Sequence, residues 1–252
     1  RSGRVMSSRS CSSPRPPDAG PLVYDPFGLA GRRFRTAASG PRDAVHPGWP
    51  EATPTVVLPD GGEIRLRPLT AHDGKAWREQ RLLDEAYLRP VEPTVPETWE
   101  LAHSSATWWN VIGGLRAAAL RGQVVPLAID LDGAFAGQVT LGTIQHGSVS
   151  DCWIGYWVHS AHMGRGVATA ACALGTDHAF RRIGLHRVTA TYLPDNPASG
   201  RVLAHNGFRT EGFLRRNLHI DGRWRDHHYV AQMVEDHPDT CVARLRRAGR
   251  LR

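Results

Sequence analysis

The pattern of apolar and polar residues changes at about residue 53. Before that point prolines, glycines, serines and arginines are frequent, and apolar residues follow neither a helical nor a strand period. After it, periodic segments alternate with turns that contain glycine. We therefore predict a disordered basic extension over residues 1–53, one folded domain over residues 54–236 and a basic tail over residues 237–252.

Strand patterns occur at both ends of this domain. From Glu63 to Pro68, apolar residues alternate with charged ones, which is typical of a half-buried strand. The segments Val124 to Gln145 and Phe213 to Met233 each place an Asp-Gly pair between two arms of partial alternation, which predicts two hairpins. Cys152 to Val158 is apolar and aromatic throughout, and it predicts a central strand covered on both faces.

Helices are predicted in three regions. Residues 70–122 have poor periodicity and several prolines, and they predict two or three helices. A second region follows the glycines near residue 165 and ends at Gly184, and a third starts at Asn196, with Pro197 as its first residue. We interpret the tryptophans of the first region as core or lid packing rather than substrate contacts: Trp77, Trp99, Trp108 and Trp109.

The net charge of +7 comes from the two ends of the chain and not from the predicted domain. Residues 1–53 carry 8 arginines against 4 acids and residues 237–252 carry 5 against 1, whereas the middle has 18 basic and 19 acidic residues. This distribution argues against a nucleic-acid-binding domain surface. Weak contact of the Arg-rich tails with RNA or the ribosome stays open, beside the simpler interpretation of solvated tails.

The four cysteines are far apart and form no CxxC pair, so we expect neither a zinc site nor a disulfide framework. No apolar run approaches the roughly 18 residues that span a bilayer, and the first residues lack a hydrophobic signal core. We expect free thiols, no metal, no membrane span and a cytoplasmic location.

The glycine-containing segment from His162 to Thr169 lies between a predicted strand and a predicted helix. Free backbone N–H groups at a helix start bind anions, and glycines leave room for a phosphate to approach them. A lone pattern of this kind also occurs in ordinary turns.

Two segments together resemble a known family. The run GYWVHSAHMGRGVATAA, followed by RVTATYLPDNPASGRVLAHNGFRTEG, resembles the GNAT N-acetyltransferases, in particular the branch that acetylates N-terminal amines of ribosomal proteins. The resemblance extends from about Ile64 to Val234. It implies a single α/β domain with a mixed, mainly antiparallel twisted sheet, a splayed central strand pair, and helices on both faces.

The resemblance implies that the loop binds the pyrophosphate of acetyl-CoA and that the preceding strand binds the pantetheine arm. Met163 stands where the family commonly has Gln or Arg, which removes one side-chain contact but leaves the amides in place. The implied cofactor-binding residues are Trp157, Val158, Met163, Gly164, Arg165, Gly166, Val167, Ala168, Thr169, Asn196 and Ser199.

Acetyl transfer needs a base for the amine and a donor for the departing thiolate. Ser199 is the first candidate donor, with a purely structural role in the helix start as its competitor, and Tyr192 is the second. The glutamate often assigned as base in the resembled branch corresponds to Leu218 here. The base stays open between a water-mediated mechanism and several side chains: Asp151, His159, Glu211, His219, Asp226, His227 and His228.

The sequence thus predicts an acetyl-CoA-dependent N-acetyltransferase that acts by direct attack on a primary amine. The acceptor is a protein N-terminus, as in the ribosomal branch, or alternatively a small-molecule amine or antibiotic. A non-catalytic module that senses acetyl-CoA or scaffolds partners is the competitor from another class. We expect a monomer or a homodimer.

Overall fold

A computed structural model describes residues 47–252. Its strands are β1 (Val56–Val57), β2 (Glu63–Pro68), β3 (Val124–Leu131), β4 (Ala134–Gln145), β5 (Asp151–Val158), β6 (Arg187–Tyr192), β7 (Arg209–Ile220) and β8 (Arg223–Met233). Its α-helices are α1 (Gly74–Leu83), α2 (Glu85–Leu88), α3 (Trp99–Ala102), α4 (Ser105–Leu120), α5 (Val167–His178), α6 (Pro197–His205) and α7 (Cys241–Arg247). The eight strands form one sheet in the order β1-β2-β3-β4-β5-β6-β8-β7.

The sheet is antiparallel except at its centre. β5 and β6 are parallel, and α5 with the π-helical turn Ala179–Ile183 forms the crossover between them. These two strands pair only at Asp151, Cys152 and Trp153 of β5, and beyond Trp153 they share no register pair. The predicted mixed sheet with a splayed central pair is thus confirmed.

Helices cover both faces of the sheet at the splayed strands. Successive residues of a strand point to opposite faces, and Tyr156 contacts Ser199 of α6 while the Trp157 ring lies 5.1 Å from the Arg81 guanidinium of α1. α5 packs closely on the sheet because Gly175 has no side chain. A Cβ there would lie 3.0 Å from Ile154 Cδ1 and 3.1 Å from Val139 Cγ1.

Two predictions about elements need adjustment. Residues 70–122 form four α-helices and two short 3-10 helices in the structure, rather than two or three helices. β5 is not covered on both faces, since 43% of the Trp153 side chain is exposed and Tyr156 and Trp157 are half-buried. The partial exposure of Tyr156 and Trp157 follows from the gap left by β6, whereas Trp153 is exposed although it still pairs with β6.

The boundary of the predicted extension at residue 53 is corrected by the structure. Trp49 and Ala52 are buried. The Thr53 N–H donates to the Leu66 carbonyl oxygen at 2.9 Å, and the Leu66 N–H donates to Thr53 Oγ1 at 2.9 Å. Residues 47–53 therefore belong to the folded domain. Residues 1–46 of the predicted extension lie outside the described residues.

The predicted tail over residues 237–252 is also corrected. Its residues form α7, in which the Asp177 carboxylate accepts the N–H groups of Cys241 at 2.7 Å and Val242 at 3.0 Å. Leu245 and Leu251 are buried in the main core, at 1% and 4% exposure. Cys241 and Leu245 stand one turn apart on the same helix face, so a short apolar stripe is enough for docking.

None of the helices in residues 47–252 is both long and apolar enough to cross a bilayer. Cys152, Cys172 and Cys241 are buried and unpaired, and Cys11 lies outside the described residues.

Candidate active site

The start of α5 presents backbone N–H groups that the protein itself does not use. Gly166 is the N-cap residue and provides no side-chain cap, so the N–H groups of Val167, Ala168 and Thr169 have no acceptor among the described residues. Other helices of the structure start with a side chain that accepts such an N–H group: Thr98, Ser104, Asn196 and Thr240. α1 and α2 also lack a side-chain cap, but α5 differs from them in starting at a glycine loop, and such a helix start is suited to binding an anion.

Glycine is required in this loop by the backbone conformation. Gly164 and Gly166 have φ angles of 77° and 85°, in the left-handed region that other residues rarely adopt. A Cβ at either position would meet no atom within 4 Å, so the space in front of the loop is open. The side chain of Met163 is 51% exposed and does not fill that space.

Arg165 is committed to an ion pair. Its Nε lies 2.6 Å from Asp60 Oδ2 in the β1–β2 turn, and the hydrogen bond from Arg165 is the main cause of the lowered pKa of Asp60. Its Nη1 lies 3.4 Å from His162 Nδ1. The resemblance implies that Arg165 contacts a phosphate. A phosphate bound at this loop would share the Arg165 guanidinium with Asp60.

The loop follows directly on the splayed half of β5. Trp157 and Val158, the last two residues of β5, pair with Gln138 and Gly137 of β4 and have no register pair on the β6 side. The gap between β5 and β6 therefore opens next to the free amides of α5. A linear ligand with an anionic end fits this arrangement, with the anion at α5 and the chain along β5.

Ser199 and Asn196 lie at the start of α6, beside this gap. Asn196 Oδ1 accepts the Ser199 N–H at 3.2 Å, so Asn196 is the helix cap. The Ser199 hydroxyl lies 3.2 Å from the hydroxyl of Tyr156 on β5. Tyr156 was hidden from sequence reasoning because it lies within an otherwise apolar strand.

Tyr192, the second candidate donor, is packed rather than hydrogen-bonded. Its ring stacks on His228 at 4.9 Å between centroids, and a Cβ at Gly200 would lie 2.8 Å from its Cε2 atom. Its hydroxyl has no hydrogen-bond partner in the part of the chain that the structure describes.

The three carboxylates among the candidate bases have other contacts. Glu211 pairs with Arg187, and Asp226 Oδ1 accepts the N–H of Arg216 at 2.7 Å. Asp151 lies at the closed end of the β5–β6 pair, away from the gap. None of these three carboxylates makes a hydrogen bond to Ser199.

The histidines divide into two groups. His159 Nδ1 lies 2.8 Å from Asp84 Oδ2, and His219 Nδ1 lies 2.9 Å from Thr94 Oγ1, so both are tied to the helical layer. His228 stacks on Tyr192, at the open end of β6. His227 is buried, and burial lowers its pKa.

The neutral His227 has a defined tautomer. Its Nδ1 lies 3.1 Å from the backbone carbonyl of Arg225, which can only accept, so Nδ1 carries the proton and Nε2 carries the lone pair. No described residue bonds to Nε2. In this tautomer a neutral His227 presents a free lone pair at Nε2, as a general base requires.

An aromatic cluster around Arg81, a residue that the sequence did not single out, fixes α1 against the end of β5. The Arg81 guanidinium lies over the rings of Trp77, Trp99 and Trp157, at 5.2, 5.6 and 5.1 Å, and pairs with Glu92. Burial raises the pKa of Glu92 against the opposing effect of Arg81. The predicted packing role fits Trp77, Trp99 and Trp108, which are buried, but not Trp109, which is 55% exposed.

Asp84 connects the end of α1 to the start of the loop. Its Oδ2 accepts the N–H of Ser160 at 2.8 Å and faces His159 Nδ1 at the same distance. Burial by itself raises the pKa of Asp84, but the hydrogen bonds from Ser160 and His159 outweigh burial and lower the pKa overall. The orientation of the loop thus depends on a buried, ionised carboxylate.

This carboxylate predicts a pH-dependent contribution to stability. Above about pH 4, the usual range of an unfolded aspartate, we expect wild type to exceed Asp84→Asn in free energy of unfolding by about 1–3 kcal/mol. The difference should shrink as the pH falls through the lowered folded-state pKa, because the native carboxylate is then protonated. Urea unfolding over a pH series measures it.

Glu97→Gln is the control, since the exposed Glu97 has no hydrogen bond or ion pair in the described region. A stability difference between wild type and Asp84→Asn that stayed constant across the acid range would contradict the prediction.

A groove of about 740 Å³ opens between residues 85–100 and the β7–β8 turn. Arg89 in this groove pairs with Glu85 and Asp221, and further carboxylates come from Glu97 and Glu100. Within residues 47–252, no group of three or more His, Cys, Asp or Glu side chains is arranged to hold a metal ion.

Comparisons with known proteins agree with this geometry. Residues 63–209 match the model of the acetyltransferase (GNAT) domain. Mycobacterium smegmatis RimJ in complex with CoA-disulfide is similar in structure, with a TM-score of 0.80, 46% identity, and coverage of 82% of this chain and 98% of that one.

Two curated relatives are similar in sequence. The [ribosomal protein uS5]-alanine N-acetyltransferase of Escherichia coli (strain K12) is 29% identical over 177 residues, which cover 68% of this chain and 89% of that protein. The probable N-acetyltransferase YjcK of Bacillus subtilis (strain 168) is 40% identical over 105 residues, and the match spans 42% of this chain and only 58% of YjcK. The chain therefore belongs to the acetyltransferase (GNAT) family, and the resemblance to its RimJ/RimL-like branch is confirmed.

Proposed function

We propose that this protein is an acetyl-CoA-dependent N-acetyltransferase that transfers acetyl to the N-terminal amine of a ribosomal protein by direct attack. One observation carries the proposal: the uncapped amides of α5 open beside the gap between β5 and β6. A nucleotide pyrophosphate matches the first feature and a pantetheine arm matches the second.

The residues that would hold acetyl-CoA follow from this placement. The amides from Gly164 to Thr169 bind the pyrophosphate, and the main chain of Trp157 and Val158 binds the pantetheine. Arg165 adds positive charge near the pyrophosphate, and its ion pair with Asp60 weakens when the phosphate binds. Met163 contributes its backbone only, and Asn196 acts by holding the start of α6 in place.

The chemistry assigns two roles. Ser199 donates a hydrogen bond to the departing sulfur. His227, directly or through water, takes a proton from the acceptor ammonium, so that the free amine can attack the acetyl carbon. The neutral state of His227 and its fixed tautomer support this second role. His228 is better suited to packing, because its ring is held against Tyr192 and Phe213.

The similar proteins and the groove beside residues 85–100 both support a ribosomal protein as the acceptor. Both the E. coli relative and the M. smegmatis structure carry names of ribosomal-protein or RimJ enzymes. Ribosomal proteins are basic, and the groove beside residues 85–100 carries carboxylates. A ribosomal client implies a cytoplasmic location, and the exposed arginines of α7 offer a weak contact to ribosomal RNA.

Thiol release from acetyl-CoA distinguishes the candidate functions. The full chain is incubated with acetyl-CoA and one acceptor: a peptide that starts with Ala or Ser, a polyamine, or an aminoglycoside. We expect turnover with the peptide above the rate without acceptor. Turnover only with a small amine would favour the second enzyme function, and tight binding of acetyl-CoA without turnover of any acceptor would favour a sensor.

Ser199→Ala tests the donor. We expect kcat to fall by about 10- to 100-fold with acetyl-CoA affinity nearly unchanged, because one donor to the leaving group is lost. Ser105→Ala is the matched control, since Ser105 is an exposed serine in the first turn of α4. An unaltered rate in Ser199→Ala would show that Ser199 has only a structural role at the start of α6.

A further inference from the structure

Tyr156 reaches from β5 to the helix layer at the gap in the sheet. It lies three residues beyond Trp153, the last residue of β5 that pairs with β6. Its hydroxyl is 3.2 Å from Ser199 Oγ and 3.4 Å from the Ser199 carbonyl oxygen. The phenol therefore bridges the strand and helix that border the gap, and it contacts the side chain that we assign as donor.

The direction of this hydrogen bond follows from acidity and from the available partners. Burial raises the pKa of the Tyr156 phenol, so this group keeps its proton at any working pH. Both acceptors within its reach belong to Ser199, and no other described residue bonds to the phenol. The phenol thus donates towards Ser199.

The serine proton is then left without a partner in the protein. A serine inside a helix often donates its hydroxyl to a carbonyl one turn earlier. Ser199 makes no such bond, since Tyr156 is the only partner of its hydroxyl among the described residues. The contact of the phenol to Ser199 Oγ is shorter than its contact to the Ser199 carbonyl, 3.2 Å against 3.4 Å, so we assign the phenol proton to Oγ. In this assignment the serine O–H points away from Tyr156 and is available for a ligand.

We propose that Tyr156 is a positioning residue for acetyl transfer, whose hydroxyl donates to Ser199 Oγ and so directs the Ser199 proton at the departing sulfur. This inference rests on the proposed function. Tyr156 does not touch the reacting atoms. It orients the hydroxyl of Ser199, which does.

The step balances without proton transfer from either hydroxyl. The amine nitrogen forms its bond to the acetyl carbon, the C–S bond breaks, and the electron pair stays on sulfur. Ser199 donates a hydrogen bond to this thiolate and keeps its proton, because a serine hydroxyl is a far weaker acid than a thiol. The base has already taken the first proton of the ammonium before attack. The second proton leaves the nitrogen as the amide forms and passes to solvent, and the thiolate takes a proton from solvent.

The experiment compares wild type, Tyr156→Phe, Ser199→Ala and the double variant in two measurements. The first is the steady-state rate, for which we expect Tyr156→Phe to lower kcat by about 3- to 10-fold with the KM for acetyl-CoA unchanged. The double variant should be no slower than Ser199→Ala, because Tyr156 acts only through Ser199.

The second measurement needs no acceptor. The thiol of bound CoA is titrated by the ultraviolet absorbance of its thiolate, with desulfo-CoA as the blank. We expect the pKa of the CoA thiol to be lower in wild type than in either single variant, because a Ser199 hydroxyl that is oriented towards the sulfur stabilises the thiolate. A purely structural role of Tyr156 would not change this pKa.

Tyr229→Phe is the matched control, because Tyr229 is another tyrosine of the sheet, on β8, and its hydroxyl makes no hydrogen bond to Ser199. Thermal unfolding checks that every variant is folded. Wild-type kcat and thiol pKa in Tyr156→Phe would overturn the inference, as would a double variant slower than Ser199→Ala. If no peptide is acetylated but the thiol pKa still depends on Tyr156, the proposed acceptor is wrong and the positioning role stands.

Discussion

The Gly166→Trp protein should lose measurable binding of acetyl-CoA while remaining folded. Gly166 has a φ angle of 85° and caps α5 without a side chain, and a Cβ there points into the open space before the amides. An indole in this space blocks the pyrophosphate. Loss of two charge-assisted hydrogen bonds of about 1.5–3 kcal/mol each predicts an increase in Kd of at least about 100-fold.

Calorimetric titration with acetyl-CoA measures this loss, and Gly147→Trp is the control. Gly147 has a φ angle of 76° and, like Gly166, meets no atom within 4 Å of a built Cβ. It lies in the β4–β5 turn, at the end of β5 remote from the loop. The control carries the same backbone strain and should bind normally, whereas retained micromolar affinity in Gly166→Trp would refute the loop assignment.

The second large effect concerns the C-terminal helix. Leu245→Ala should reduce the free energy of unfolding by about 2–5 kcal/mol, the usual cost of removing a fully buried leucine side chain. Leu245 is 1% exposed and belongs to the same core cluster as the residues of α5. Urea unfolding followed by tryptophan fluorescence measures the change.

Arg250→Ala is the control for Leu245→Ala, because Arg250 is exposed and lies only five positions further along the same segment. Its substitution should change the free energy of unfolding by less than about 0.5 kcal/mol. Equal, small changes in both variants would show that the segment does not contribute to the core and would restore the predicted tail.

The error about this segment shows where sequence patterns fail. Seven helical residues with two buried side chains, Cys241 and Leu245, give too short a stripe to stand out in a segment that carries five arginines over residues 237–252. The decisive partner is Asp177, 64 positions away from Cys241, whose carboxylate accepts the first N–H groups of the helix. Trp49 is comparable, because its burial depends on a core formed by distant residues.

Local features were predicted well because they depend on neighbours in the chain. Asn196 and Pro197 start α6, Gly184 ends the turn after α5 with a φ angle of 80°, and the Asp-Gly pairs form the predicted hairpin turns. Each reflects a conformational preference or a bond within a few residues. The glycine loop belongs to the same class.

The sequence by itself determined the two hairpins, the glycine loop between a strand and a helix, and the family, since these depend on short-range periodicity, turn chemistry and contiguous motifs. Only the tertiary structure decided that Arg165 is shared with Asp60, that Tyr156 meets Ser199, and that α7 is part of the core. The physical reason is that such contacts join residues from 43 to 105 positions apart. Their formation depends on how the sheet splays and how the helices pack on it, and no local pattern encodes that geometry.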